Sequence, residues 1–152
     1  MRVKLVCVGK LKEKYLKEAC AEYSKRISGF GKIDIIEVQD EKDDRPDAIA
    51  IEGEKILKNI RNTEYVVALE IDGEGQSSVQ LARRMASLAV KGISDIIFVI
   101  GGSNGLHETV SKRADYKLSF SKMTFPHQLA RVMLLEQIYR AYKINQGGKY
   151  HK

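Results

Sequence analysis

No stretch of the 152 residues approaches the ~20 consecutive apolar residues that a membrane-spanning helix needs, so no membrane insertion is expected. The apolar opening Met1–Gly9 is too short for a secretory signal and is interrupted by Lys4, which argues against export and for the cytoplasm. Cysteine is scarce. Cys7 sits in an apolar run and Cys20 at a helical core spacing, with no Cys-x-x-Cys pair and no Cys/His cluster, so both read as small buried hydrophobes and no metal is expected. Only three histidines are present, His107, His127 and His151, and their scatter gives no nucleophilic triad, which sets hydrolase chemistry low. Dinucleotide and triphosphate motifs are missing too: the first strand–helix turn holds only Gly9 before Lys10-Leu11, and no Gly-Lys-Ser/Thr occurs.

What is present is an ordinary globular composition, 43% hydrophobic and 30% charged, in a length that fits one domain over residues 1–152. The net charge of +6 favours polyanions such as RNA or an acidic membrane surface. Beyond Pro126 the basic residues Arg131, Arg140, Lys143, Lys149 and Lys152 face the single acid Glu136, so this end carries +4 of the +6. Solvated helix residues and a frayed tail would give the same count, and composition leaves the two readings level.

Val3–Val8, Ile33–Val38, Tyr65–Ile71, Asp95–Ile100 and Tyr116–Phe120 are β-rich runs. Leu11, Tyr15, Leu16, Ala19, Tyr23 and Ile27 recur at helical spacing after the first, and Ile49, Ile56, Leu57 and Ile60 after the second. Gln39–Pro46 is a charged interruption expected to be a mobile, solvated loop. The third run, apolar at consecutive positions, predicts a strand covered on both faces. Asp72-Gly73-Glu74-Gly75 predicts a turn, and Ser77-Ser78-Val79-Gln80 a capping box that starts a helix through Leu81, Met85 and Leu88. A short helix is expected from His107 or Glu108. Pro126 opens a final helix with Leu129, Val132, Leu135, Ile138, Tyr139 and Tyr142 mostly inward. Alternating strands and helices predict an α/β fold, a mainly parallel sheet with helices on both faces. Such sheets bind ligands at the carboxyl ends of their strands, which nominates the loops after Ile71, Ile100 and Phe120.

Gly101-Gly102-Ser103-Asn104-Gly105 lets backbone approach a ligand closely and suits a carboxylate or ribose better than a triphosphate; a plain tight turn is the competing reading. His127 fits a helix-start packing role ahead of chemistry. Glu136 is either a base or the i, i+4 salt-bridge partner of Arg140. Lys149, Tyr150, His151 and Lys152 offer an aromatic and cationic cluster able to stack on a base and touch phosphate, although chain ends are commonly frayed. Arg83, Arg84, Lys112 and Arg113 read as solvated helix faces.

Val-Ala-Leu-Glu-Ile-Asp-Gly (67–73), Phe-Val-Ile-Gly-Gly-Ser-Asn-Gly-Leu (98–106) and Leu-Ser-Phe-Ser-Lys-Met-Thr-Phe-Pro-His-Gln-Leu-Ala-Arg (118–131) together resemble the RlmH family of SPOUT methyltransferases. Lys-Leu-Val-Cys-Val-Gly (4–9), Tyr-Arg-Ala-Tyr (139–142) and the terminal Tyr-His-Lys extend the resemblance over the whole chain. It departs at Ser103-Asn104, where other members carry Pro-Glu, and at Lys149, where Pro often precedes Tyr-His.

The resemblance implies a C-terminal trefoil knot, a homodimer and S-adenosylmethionine as cofactor. Leu69, Gly101, Phe120, Ser121, Lys122, Met123, Thr124 and Phe125 would touch the cofactor. The implied reaction is N3 methylation of a pseudouridine in helix 69 of 23S ribosomal RNA within the 70S ribosome. Arg140, Tyr150 and His151 would grip the nucleotide, with the tail of one subunit reaching the other's cofactor, and His127 or Glu136 would accept the proton. Two other readings remain: a SPOUT enzyme acting on tRNA or another rRNA site, and an RNA- or nucleotide-binding module without catalysis.

Overall fold

The computed structural model describes all 152 residues. Its strands are β1 (Arg2–Val8), β2 (Lys32–Val38), β3 (Tyr65–Gly75), β4 (Asp95–Ile100) and β5 (Tyr116–Ser119). Between and after them run α1 (Lys14–Ser28), α2 (Ala48–Leu57), α3 (Ser78–Val90), α4 (Glu108–Arg113) and α5 (His127–Asn145). All strand pairs are parallel, in the order β2-β1-β4-β3-β5, so β4 is central, with Leu5 of β1 level with Phe98 and Val67 of β3 also level with it.

Side chains alternate between sheet faces, and both faces are covered, which is why β1 and β4 are apolar at nearly every position. On one face Val3, Leu5, Val67 and Phe98 meet Cys20 and Ile27 of α1, Leu81 and Met85 of α3, and Leu134, Leu135 and Ile138 of α5. On the other, Val6, Val66, Ile97 and Val99 meet Ile56 of α2 and Val110 of α4. Each such side chain contributes on the order of 1.5–3 kcal/mol by leaving water. The Ser77/Gln80 capping box forms as expected: Gln80 N–H donates to Ser77 Oγ at 3.1 Å and Ser77 N–H to Gln80 Oε1 at 2.8 Å.

Several expectations are corrected. Residues 72–75 are not a turn but the end of β3, which bulges so that Leu69 and Glu74 both pair with Leu118 of β5. Gly73 permits this, because a Cβ there would lie 2.8 Å from the Lys117 carbonyl, and Tyr116 OH donates to Glu74 Oε2 at 3.0 Å. Two-sided cover of β3 holds only for Val66, Val67 and Ala68; Ile71 is 52% exposed. Helix α1 starts at Lys14, since Leu11 N–H is drawn instead to Glu37 Oε2 at 3.0 Å. On α5, Leu135 and Ile138 are buried and Val132, Tyr139 and Tyr142 pack partly buried against the core, as expected, whereas Leu129 is 40% exposed and Arg131 joins the buried stripe.

The charged 39–46 segment is exposed but tied down. Glu41 accepts from Lys55 Nζ at 2.7 Å and Arg45 Nη1 at 3.2 Å, and Asp43 accepts from Ser103 Oγ at 2.7 Å. Two of the four helix-face cations are also not simply solvated. Arg84 lies 3.6 Å over the Tyr116 ring, and Arg113 donates to the Arg61 and Glu64 carbonyls at 2.9 and 2.8 Å.

Candidate active site

Because β4, β3 and β5 are neighbours, residues 69–72 of β3 meet the segments at the carboxyl ends of β4 and β5. They enclose a cavity of about 720 Å³, within the roughly 300–1,000 Å³ usual for ligand sites. Leu69, Gly101, Phe120, Ser121, Met123, Thr124 and Phe125 line it; Lys122, in the same run, is exposed and does not. His127, the first residue of α5, also lines it. The structure adds Glu70, Ile71 and Leu106; Asp72 and residues 102–105, which also line it, lie in the stretches after Ile71 and Ile100 that the sequence nominated.

The charge of this cavity is opposite to that of the chain. Glu70 and Asp72 line it and no lysine or arginine does, in a protein of net charge +6. Glu70 Oε1 accepts from Ser111 Oγ at 2.6 Å, whereas its Oε2 is buried with no partner. A buried carboxylate oxygen without a donor is costly unless a positive or hydrogen-bonding group reaches it. Apolar walls, open backbone and two carboxylates fit a mixed cation such as a sulfonium carrying an ammonium group, and they disfavour a polyphosphate.

The glycine loop is shaped by its own closure. A Cβ on Gly101 would lie 2.6 Å from the Gly105 carbonyl oxygen, Gly102 and Gly105 pair across a one-bridge turn, and Gly105 has φ +83°. Gly101 is therefore required first by the loop's own backbone. Asp43 grips the loop tip through Ser103, as described above.

The other residues singled out from the sequence gather elsewhere. Glu136 lies on α5 beside a second cavity, and its Oε1 accepts from Arg140 Nε at 2.8 Å and Tyr150 OH at 3.2 Å, with Arg140 Nη2 held against it as an ion pair at 2.6 Å. Gln137 Nε2 donates to its Oε2 at 2.8 Å. The ion pair with Arg140, with donors on both carboxylate oxygens, favours the salt-bridge reading of Glu136. Arg140 lies 4.7 Å from the Tyr150 ring centroid, and that ring packs edge-on against Tyr139 at 4.9 Å. Arg140 Nη1 is 3.0 Å from His151 Nδ1; because a guanidinium can only donate, Nδ1 is the acceptor and the proton resides on Nε2. Burial first, then the Glu136 charge and hydrogen bond, push the Tyr150 hydroxyl above its usual range. Within one chain this folded-back tail touches α5, and neither Tyr150 nor His151 lines the larger cavity.

The family model described as "Predicted SPOUT methyltransferase" matches residues 1–151. This chain belongs to the SPOUT methyltransferase family. Two relatives of this methyltransferase are named Ribosomal RNA large subunit methyltransferase H. That of Clostridioides difficile (strain 630) is 53% identical, and that of Clostridium novyi (strain NT) is 55% identical, each over the full length of both chains. Among solved structures, a probable methylase family protein from Haemophilus influenzae Rd KW20 superposes with a TM-score of 0.55 at 15% identity. It covers 99% of this methyltransferase and 70% of its own chain, and supports the shared fold. No helix is long and apolar enough to cross a membrane.

Proposed function

We propose that the chain transfers the methyl group of S-adenosylmethionine to N3 of a pseudouridine in helix 69 of 23S ribosomal RNA, presented by the assembled 70S ribosome in the cytoplasm. The observation that carries this reading is the acidic cavity of about 720 Å³ in a basic chain, placed where residues 69–72 of β3 meet the loops after β4 and β5. The rRNA target follows the names of the two relatives, each more than half identical along its whole length.

When bound, the cofactor supplies a methyl group that is already electrophilic on its sulfonium, so the protein has to align, dehydrate and deprotonate. Leu69 and Phe120 would clamp the apolar part, while Glu70 and Asp72 complement the positive charges. The backbone of Gly101 and of Ser121, Met123, Thr124 and Phe125 would hold the polar edges, with Lys122 flanking them. His127, which lines this cavity, is the better placed of the two candidate proton acceptors, because Glu136 already accepts three hydrogen bonds and pairs with Arg140. Arg140, Tyr150 and His151 would contact the nucleotide. The same reading includes a homodimer, in which the tail serves the partner's cofactor site, and a trefoil knot formed around residues 118–131.

The experiment is transfer from labelled S-adenosylmethionine to 70S ribosomes and to separated subunits from a strain lacking the protein, with the modified nucleoside identified by mass spectrometry. Methylated pseudouridine in 23S RNA of the 70S particle is the expected product. Cofactor binding without transfer to any ribosomal RNA would move the target to tRNA.

A further inference from the structure

Next to the acidic cavity lies a second, of about 480 Å³, and Leu118 and Phe120 form part of the wall of both. Whatever occupies the smaller space therefore borders the larger one. Its lining is also different. Tyr23 of α1 contributes an aromatic side chain, and Val132 and Met133 of α5 an apolar wall. Its polar groups are nearly all spoken for: Ser78 Oγ donates to Gln137 Oε1 at 2.6 Å, and Gln137 Nε2 donates to Glu136 Oε2 at 2.8 Å. Gln76, which also lines the space, is the exception, because its Oε1 is buried and has no hydrogen-bond partner. Arg140, bound to the same Glu136 carboxylate, brings a cation to this neighbourhood.

An aromatic wall for stacking, a nearby cation for phosphate and one unmet acceptor describe a site for a nucleobase that offers an N–H. We propose that this cavity receives the target base and that Gln76 Oε1 accepts the N1–H by which pseudouridine differs from uridine. The inference rests on the methyltransferase reading above and adds to it the basis of base selection. With N3 turned toward the methyl donor, uridine has only carbonyl oxygens and a glycosylated N1 left on its edges. Pseudouridine, joined to its ribose through C5, keeps a free N1–H. A buried acceptor is satisfied by the second base and stranded by the first, and sites of that kind discriminate strongly.

The test compares kcat/KM on two ribosome preparations, one with pseudouridine at the target and one from a strain lacking the synthase, with uridine there. The wild-type protein should prefer the first by about tenfold or more. Gln76→Leu, which keeps the volume and removes the acceptor, should bring the two values to within about twofold by losing rate on pseudouridine. Its calorimetric affinity for S-adenosylmethionine and its melting temperature should match wild type. Val132→Phe, which fills the space, should lower transfer to both preparations with the same cofactor affinity. A Gln76→Leu protein that keeps the wild-type preference, or a Val132→Phe protein that transfers normally, would overturn the assignment. So would variants whose lost activity tracks dissociation of the protein in light scattering, since that would give the cavity to subunit packing. Wild-type protein that methylates neither preparation is a different failure, because it removes the ribosomal methyltransferase reading itself and the base site with it.

Discussion

Arg131 on α5 donates through Nη1 to Glu37 Oε2 at the end of β2, 94 residues earlier, and through Nη2 to the Gly9 carbonyl at 3.0 Å, with its own side chain 1% exposed. This one guanidinium ties the end of β1, the end of β2 and the helix that begins at the cavity. It also removes a cation from the basic C-terminal surface. Burial alone would raise the Glu37 carboxyl, but the Arg131 and Leu11 hydrogen bonds and the Arg131 and Lys10 charges outweigh it and hold the group below its usual range.

Arg131→Met should therefore destabilise the protein by about 2–4 kcal/mol, because it strands a carboxylate and a carbonyl, with Glu37's partial exposure softening the loss. The pH dependence has a definite sign. A carboxyl depressed on folding adds stability above its unfolded pKa and loses it as pH falls through the folded one. Urea titrations should show the gap between wild type and Glu37→Gln narrowing as pH drops through and below the ordinary carboxylate range. A gap independent of pH would show that the pair contributes no linkage.

Gly101→Ala should suffice to distort the 101–105 loop proposed to hold the cofactor, since the added Cβ would sit 2.6 Å from the Gly105 carbonyl oxygen. Calorimetry should show affinity for S-adenosylmethionine reduced by roughly tenfold or more, a loss of about 1.4 kcal/mol or above. The far-UV circular dichroism should stay close to wild type, because the loop lies outside the helices.

Glu70→Gln keeps the shape and the Ser111 contact within reach while removing one of two negative charges from the cavity. Cofactor affinity should fall by roughly tenfold, as expected for a close charge pair of about 1–2 kcal/mol, while a neutral adenosine probe should lose far less. Equal losses for both ligands would assign Glu70 to holding α4 rather than to recognising charge.

Deleting residues 150–152 removes the Tyr150 donor to Glu136 and the His151 acceptor of Arg140. Cofactor affinity should be spared and transfer to ribosomes abolished. Full activity would show that the folded-back tail is ordinary packing.

Neither thiol should react in the folded protein. Burial pushes the Cys7 thiol up to about 12, with Arg131 opposing only in part, and raises Cys20 as well. A thiol-exchange reagent at neutral pH should label both cysteines in denaturant and neither without it.

The alternation of strands and helices, the capping box at Ser77 and the ligand loops after β4 and β5 were legible in the sequence. Each is written in residues close together in the chain: period-two or period-3.6 apolar spacing, a hydroxyl three residues before a glutamine, glycines after a strand. The β3 bulge was not, because Asp72-Gly73-Glu74-Gly75 is turn chemistry locally and becomes strand only when Gly73 fits against Lys117 of β5. The burial of Arg131 on α5 was not legible either, for a similar reason. Arg131 is the most polar residue of its buried stripe, and only Glu37 and the Gly9 carbonyl make that burial tolerable.

The sequence by itself determined the α/β class, the loops that would meet a ligand and, through motifs spread along the whole chain, the family. Tertiary structure alone decided the acidic cavity, the three donors on Glu136 and the orphaned acceptor of Gln76. Charge sign in a pocket and hydrogen-bond satisfaction depend on partners brought together from distant parts of the chain: Ser111 reaches Glu70 across 41 residues, Ser78 reaches Gln137 across 59, and Arg131 reaches Glu37 across 94. Local periodicity carries no record of such partners, because burial and pairing are settled only when the sheet and its helices close around them.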